Sequence, residues 1–248
     1  MPLMRALLPE PNDDVDLAAA YAPGPAHDGR PFVRCNMISS VDGAIAVRGR
    51  SGMLGGAADR AVFAVLRSVA DVILVGAGTA RAEGYGPARL SDDVRRPRRA
   101  RGQAPEPPIA VVTRSGQLDW SSPFFAAAEQ RPIVVTTADA DPVSLAHARA
   151  VADVVQAGTD TVDLASAVAQ LGARGYTNVL AEGGPGINAE LVEARLLDEI
   201  CLTLAPRVVA GTGPRILAGD ELAVPLSLRV VHLLEQDGYL FGRFAIVG

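Results

Sequence analysis

Two stretches of the chain end an apolar run on glycines, a combination that lets backbone N–H groups reach a phosphate. They are Asp71-Val72-Ile73-Leu74-Val75-Gly76-Ala77-Gly78-Thr79 and Asn178-Val179-Leu180-Ala181-Glu182-Gly183-Gly184-Pro185. Each reads as a strand buried on both faces, followed by a tight turn into a helix N-terminus. With no side chain at Gly76 or Gly78, main-chain amides can approach a bound anion, which the positive end of a helix favours. A lone Gly-x-Gly also occurs at strand–helix turns that bind nothing. Two glycine-ended strands in one sheet place two loops on one edge, facing one ligand.

The remaining chemistry-bearing residues point away from other classes. His27, His147 and His232 form no His-x-x-x-His pair, and Cys35 and Cys201 form no Cys-x-x-Cys. No metal site is expected, and both thiols are expected reduced and packed inside a cytoplasmic protein. The run Arg95-Arg96-Pro97-Arg98-Arg99-Ala100-Arg101 invites a nucleic-acid reading. A net charge of −5 and an aromatic content of 4% argue against it. There is no apolar run of about 18 residues, so no membrane span is expected. Pro9-Glu10-Pro11 ends the mildly apolar start too early for a signal peptide. The 248 residues, 49% hydrophobic and 21% charged, fit a soluble globular protein.

These residues need a frame. Residues 1–30 are rich in Pro, Asp and Ala and read as an irregular arm; residues 31–248 read as one domain. Strands are expected at Phe32–Ile38, with a short continuation at Ala44–Val47, and at Ile109–Thr113, Pro132–Thr137, Asp153–Gln156, Thr177–Ala181 and Leu197–Ala205. Helices are expected at Gly56–Ala70, Pro142–Ala152, Val162–Arg174 and Gly186–Arg195. The first has its buried stripe at Val62, Val65, Leu66 and Val69, and Arg67 lies off that stripe on a solvated face. Residues 88–108 read as a long polar loop. The alternation implies an α/β fold with a mostly parallel sheet. The tail differs: Asp237-Gly238 signals a hairpin between Leu228–Leu234 and Tyr239–Val247, so antiparallel strands close the chain.

Ser40-Val41-Asp42-Gly43, Val75-Gly76-Ala77-Gly78-Thr79, Glu182-Gly183-Gly184-Pro185, Leu197-Asp198-Glu199-Ile200 and Ala205-Pro206 occur in an order that resembles one family. It is the reductase half of bacterial riboflavin-biosynthesis deaminase-reductases, which has a dihydrofolate-reductase-like fold. The resemblance covers residues 31–247. The zinc motif of the deaminase half is absent, so the chain resembles a stand-alone reductase.

The resemblance implies NADPH-dependent reduction of 5-amino-6-(5-phosphoribosylamino)uracil to its ribitylamino product. On the cofactor side it points to Ile38 for the nicotinamide, and to Gly76, Gly78, Thr79 and Glu83 after the central strand. Gly183, Gly184, Pro185, Gly186 and Ile187 would cradle the pyrophosphate. Thr113 and Arg114 would meet the adenosine ribose and its 2′-phosphate. Ser51, Arg67, Arg89 and Glu182 would hold substrate, with Arg67 on its phosphate and Glu182 orienting the ribosyl group as the catalytic carboxylate. The family also implies a homodimer. The apolar stretch Ile200–Leu204 and the outer strand of the hairpin, which needs cover, support that expectation.

The chain departs from the family pattern at Asn36, where a Lys is usual, and at Met53, where a Trp is usual. It departs again at Glu83-Gly84-Tyr85-Gly86-Pro87-Ala88-Arg89, which replaces an Asp-Asp-Pro-x-Leu-Thr-x-Arg segment. Two alternatives therefore stand: a divergent NADPH reductase of a pterin or folate, and a non-catalytic nucleotide-binding protein.

Overall fold

The computed structural model describes residues 4–25 and 29–247. In chain order its elements begin with β1 (Arg5–Leu8), α1 (Leu17–Ala20), β2 (Phe32–Ser40), α2 (Ala57–Val69), β3 (Val72–Gly76), α3 (Ala77–Glu83) and α4 (Asp92–Ala100). Next come β4 (Ile109–Val112), α5 (Pro123–Ala126), β5 (Ile133–Thr136), α6 (Pro142–Val151), β6 (Asp153–Gln156) and α7 (Leu164–Ala173). The chain ends with β7 (Asn178–Ala181), α8 (Pro185–Glu193), β8 (Glu199–Ala205), β9 (Ser227–Gln236) and β10 (Tyr239–Val247). The expected α/β class holds: strand–helix alternation through β7, then antiparallel strands.

Chain contacts group into two units. The first contains residues 4–23, 33–66 and 181–247. Its strands lie in the order β1-β9-β10-β8-β2. β8 and β2 run parallel, with Asn36 opposite Cys201, and the other pairs are antiparallel. The β9–β10 turn uses Asp237 at φ 55° and Gly238 at φ 80°. Two successive positive φ values match the twist of a tight hairpin, which is why the chain spends an Asp-Gly there.

The N-terminal arm is more ordered than its composition suggests. β1 pairs with β9 (Arg5 opposite Glu235), and Asp16 caps α1 through the amides of Ala18 and Ala19. The expected continuation at Ala44–Val47 is not a strand; Val47 and Arg50 form an isolated bridge. β8 is flanked by β10 and β2, so both of its edges are paired within the unit and it offers no strand edge to a partner.

The second unit contains residues 24–25, 29–32 and 67–180 among those described. Its strand order is β7-β3-β4-β5-β6, and β3, β4, β5 and β6 pair in parallel. Val72, Ile73, Leu74 and Val75 are fully buried, as expected for a strand covered on both faces. Burying each such side chain contributes about 1.5–3 kcal/mol.

α2 buries Ala58, Val62 and Leu66, an i, i+4 row, and leaves Val65 and Val69 only half-buried. The expected polar loop is largely helix: α4 carries Asp92 and Asp93 in its first turn and Arg98 and Arg99 in its last. Those charges match the helix dipole at both ends. No helix among the described residues is long and apolar enough to cross a membrane.

Candidate functional site

The candidate residues fall into two groups, one in each unit. Ile38, Ser51, Glu182, Gly183, Gly184, Pro185, Gly186 and Ile187 lie in the first; Arg67, Gly76, Gly78, Thr79, Glu83, Arg89, Thr113 and Arg114 lie in the second.

In the first group the decisive local structure follows β7. Glu182 is buried, with 6% of its surface exposed, and stands directly before the helix start. Gly183 takes φ +88°, and a Cβ there would lie 3.4 Å from the Met37 sulfur. That backbone conformation is the reason a glycine stands at this position. Gly184 is the N-cap of α8, with no side-chain cap hydrogen bond, and Pro185 occupies the first turn. The amides of that turn thus have no side-chain acceptor of the usual capping kind, an arrangement suited to an anion. Gly186 is exposed, and a Cβ on it would meet only the Ala218 carbonyl at 3.9 Å.

Ile38 is half-buried near the end of β2. Just beyond, Ser40 Oγ donates to Asp42 Oδ1 at 2.5 Å and accepts from the Ala44 amide at 2.9 Å. Asp42 also accepts from the amides of Val209 and Ala210, at 3.2 and 2.7 Å. The Ser40 hydroxyl, then these amides, hold its carboxyl below the usual range. The Ser-Val-Asp-Gly motif therefore ties the exit of β2 to the loop after β8.

In the second group Gly76 is the N-cap of α3, again without a side-chain cap, and Gly78 sits in the first turn rather than in the preceding loop. A Cβ on Gly78 would meet nothing within 4 Å. Thr79 and Glu83 are half-buried on α3, and Arg89 is exposed beyond it. The face formed by Ala77, Ala80, Arg81 and Gly84 instead lines a cleft of about 410 Å³, together with Tyr85 and Phe125 among others. Thr113 is buried and its Oγ1 accepts from the Gly116 amide at 3.2 Å, so its hydroxyl shapes the turn after β4. Arg114 is exposed on that turn.

Arg67 is half-buried on the last turn of α2, and its guanidinium lies 5.4 Å from the centroid of the Tyr85 ring. A guanidinium stacked on an aromatic face is held in one orientation. Tyr85, one of the departures from the family pattern, thus has a contact with a candidate phosphate ligand. Spacing alone did not reveal it, because the cation–π pair joins two elements far apart in sequence.

Sequence reading also missed the wholly buried Arg98. It sat in a run of arginines with no apolar periodicity, so nothing singled it out.

Comparison with known proteins accounts for the motif order. Residues 31–238 match the RibD C-terminal domain family. A 2,5-diamino-6-ribosylamino-4(3H)-pyrimidinone 5′-phosphate reductase of Methanothermobacter thermautotrophicus is 31% identical over 217 residues, covering 84% of this chain and 95% of the relative. A reductase of the same name from Aquifex aeolicus is 30% identical over 220 residues, covering 86% and 93%. Among solved structures, a pyrimidine reductase-like protein of Corynebacterium diphtheriae superposes with a TM-score of 0.79 at 28% identity, covering 88% of this chain and 92% of that one.

Proposed function

The chain belongs to the RibD C-terminal domain family, and from that premise we propose that it is an NADPH-dependent reductase of a ribosylaminopyrimidine 5′-phosphate. Reduction is the activity named for the relatives that match most of its length. The observation that carries the site assignment is the junction after β7, where the buried Glu182 directly precedes the glycine-capped start of α8.

The residues fit a dinucleotide. Gly186 leaves room in the first turn of α8 for a pyrophosphate, and the exposed Arg114 supplies a guanidinium for a 2′-phosphate, which favours NADPH over NADH. When bound, a reduced nicotinamide would supply a hydride to ribosyl C1 of the ring-opened imine, whose nitrogen would take a proton. The protein's own task is to hold C1 within about 3–3.5 Å of the donor carbon. In this reading Glu182 orients the ribosyl group, Ser51 and Arg89 contact substrate, and Arg67 grips its 5′-phosphate as a charge-assisted fork. Ile38, Thr79 and Glu83 line the cofactor side.

The resemblance pointed to the aminouracil substrate, whereas the relatives' names carry the 2,5-diamino-4-pyrimidinone head. Both share the ribosylamino phosphate, and we assign the diamino compound to this chain. NADPH consumption measured with both pyrimidines and with dihydrofolate, side by side, tests the reading. Turnover of the ribosylaminopyrimidines supports it. Turnover of dihydrofolate alone moves the protein to the folate class, and NADPH binding without any turnover leaves a nucleotide-binding protein. We further propose a cytoplasmic homodimer. Leu228 and Val230 on β9 and Val247 on β10 expose apolar surface beyond the stretch that β1 covers. Light scattering at the monomer mass of 25.7 kDa would rule the dimer out.

A further inference from the structure

The arginine-rich segment has a definite place in the second unit. Arg98 has no exposed surface. Its Nη1 donates to the carbonyls of Arg67, Ser68 and Ala70 at 3.3, 2.8 and 2.7 Å, and its Nε to that of Ala104 at 2.9 Å. Arg101 Nη2 donates to the Ser68 carbonyl at 3.1 Å, and Gln103 Nε2 to that of Val69 at 3.3 Å. The last carbonyls of a helix lack intrahelical donors, and its C-terminal end attracts a cation. Side chains from α4 and its exit therefore close the end of α2, the turn that carries Arg67.

α4 also holds the segment that carries Tyr85 and Arg89. Arg95 Nε donates to the Leu90 carbonyl at 2.9 Å, Arg95 pairs with Glu106, and Glu106 accepts the Leu90 amide at 3.1 Å. One helix thus fixes the backbone of Arg67 and the segment whose Tyr85 ring lies under its guanidinium.

We propose that Arg98 is a positioning residue for phosphate recognition: its guanidinium sets the last turn of α2, and so aims Arg67 at the substrate phosphate. The inference rests on the phosphate role given to Arg67 above. The fork of N–H groups in a guanidinium has fixed directions, so several carbonyls bonded to it share one geometry. A lysine would keep the charge but hold fewer carbonyls.

The test uses the full chain and two probes: the ribosylaminopyrimidine phosphate and the same compound without its 5′-phosphate. Arg98→Lys should raise KM for the phosphorylated probe about tenfold, the scale of one weakened charge-assisted contact. KM for the phosphate-free probe and the affinity for NADPH should not change. In Arg67→Ala the added Arg98→Lys substitution should cost nothing further, because the two act as one unit. Equal losses on both probes, or additive losses in the double variant, overturn the proposal. If Arg98→Lys does not fold, Arg101→Ala reads the same turn from an exposed position. It should give the same phosphate-selective pattern at smaller amplitude, and no phosphate-selective change in it overturns the proposal. Should Arg67→Ala itself leave the phosphorylated probe unaffected, the phosphate reading of Arg67 fails instead, and the two failures are told apart.

Discussion

Two buried arginines, one in each unit, have their charge compensated by different routes. Arg34, on β2, lies 3.2 Å from Glu199, and Glu199 also accepts from Arg243 Nε at 2.7 Å. The two guanidinia clamp the N-terminal arm through the carbonyls of Ala20, Tyr21 and Ala22. Arg98 instead gives Nη1 and Nε to helix-end and loop carbonyls, while its buried Nη2 has no hydrogen-bond partner. Burial pulls its pKa down to about 10, against the opposing pull of Asp71. The first cluster is an ion pair, in which removing one partner strands the charge of the others. The second is a charge held by dipoles, in which the charge leaves with the arginine.

That difference sets the largest expected effect. Glu199→Gln removes the buried carboxylate that Arg34 and Arg243 share, and should cost about 3–5 kcal/mol in urea unfolding. A loss under about 1 kcal/mol would show that the carbonyls of the arm, not Glu199, carry the cluster.

The same cluster contains a pH-dependent element. His232 packs edge-on to Tyr21 with ring centroids 4.9 Å apart, and its Nε2 is buried with no hydrogen-bond partner. Burial first, then the charges of Arg243 and Arg34, lower its pKa from 6.5 to about 4. The unfolded chain takes up the proton more readily, so the contribution is complete above pH 6.5 and is lost as pH falls from 6.5 towards 4. The slope is about 1.4 kcal/mol per pH unit for one group. His232→Phe should flatten the pH dependence in that window. An unchanged slope would remove His232 as its source, and carboxylates such as Asp71 are not the substitute, since they act at lower pH, below their ordinary value of 3.8. At Asp71 burial works upward, but bonds from Gln103, Thr177 and Asn178 outweigh it and hold the pKa down.

Arg98→Met should cost less than Glu199→Gln, about 1–3 kcal/mol for carbonyls that lose their donors. Methionine fills much of the space with no charge left behind. If this variant proves the more damaging, the contrast between paired and dipole-held arginines is wrong. The kinetic test of Arg98→Lys addresses a separate question, since stability and phosphate recognition need not change together.

The contrast also explains what sequence alone could show. β3, β7 and the Asp237-Gly238 hairpin were legible because their signals are local: apolar runs ending on glycine, and a turn that needs positive φ. α4 was not, because its buried face is a guanidinium and a Pro at 97 interrupts the pattern. β1 was hidden by a composition that favours loops, and its order comes from pairing with β9, over two hundred positions away. At the candidate site, motif order singled out Glu182 and the α8 glycines. It could not show Tyr85 beneath Arg67 or Thr113 turned to its own loop, because both depend on tertiary placement.

The smallest effect calibrates the comparison from the solvent side. Arg5 and Glu235 face each other across β1 and β9, with Nε to Oε2 at 2.7 Å, and the arginine side chain is 56% exposed. The chemistry is that of Arg243 and Glu199 at the same distance, but water competes for both charges. Exposed pairs contribute about 0.2–1 kcal/mol and weaken with salt. Glu235 also accepts from the Gly238 amide at 2.9 Å, and that bond, ahead of Arg5, holds its carboxyl below the usual range. Arg5→Ala therefore leaves Glu235 solvated and bonded at the hairpin turn. Its cost in urea unfolding should stay below about 1 kcal/mol at low salt and shrink further in high salt. A larger, salt-independent loss would mean that Arg5 acts through packing of β1 on β9, and that burial is not what separates the two pairs.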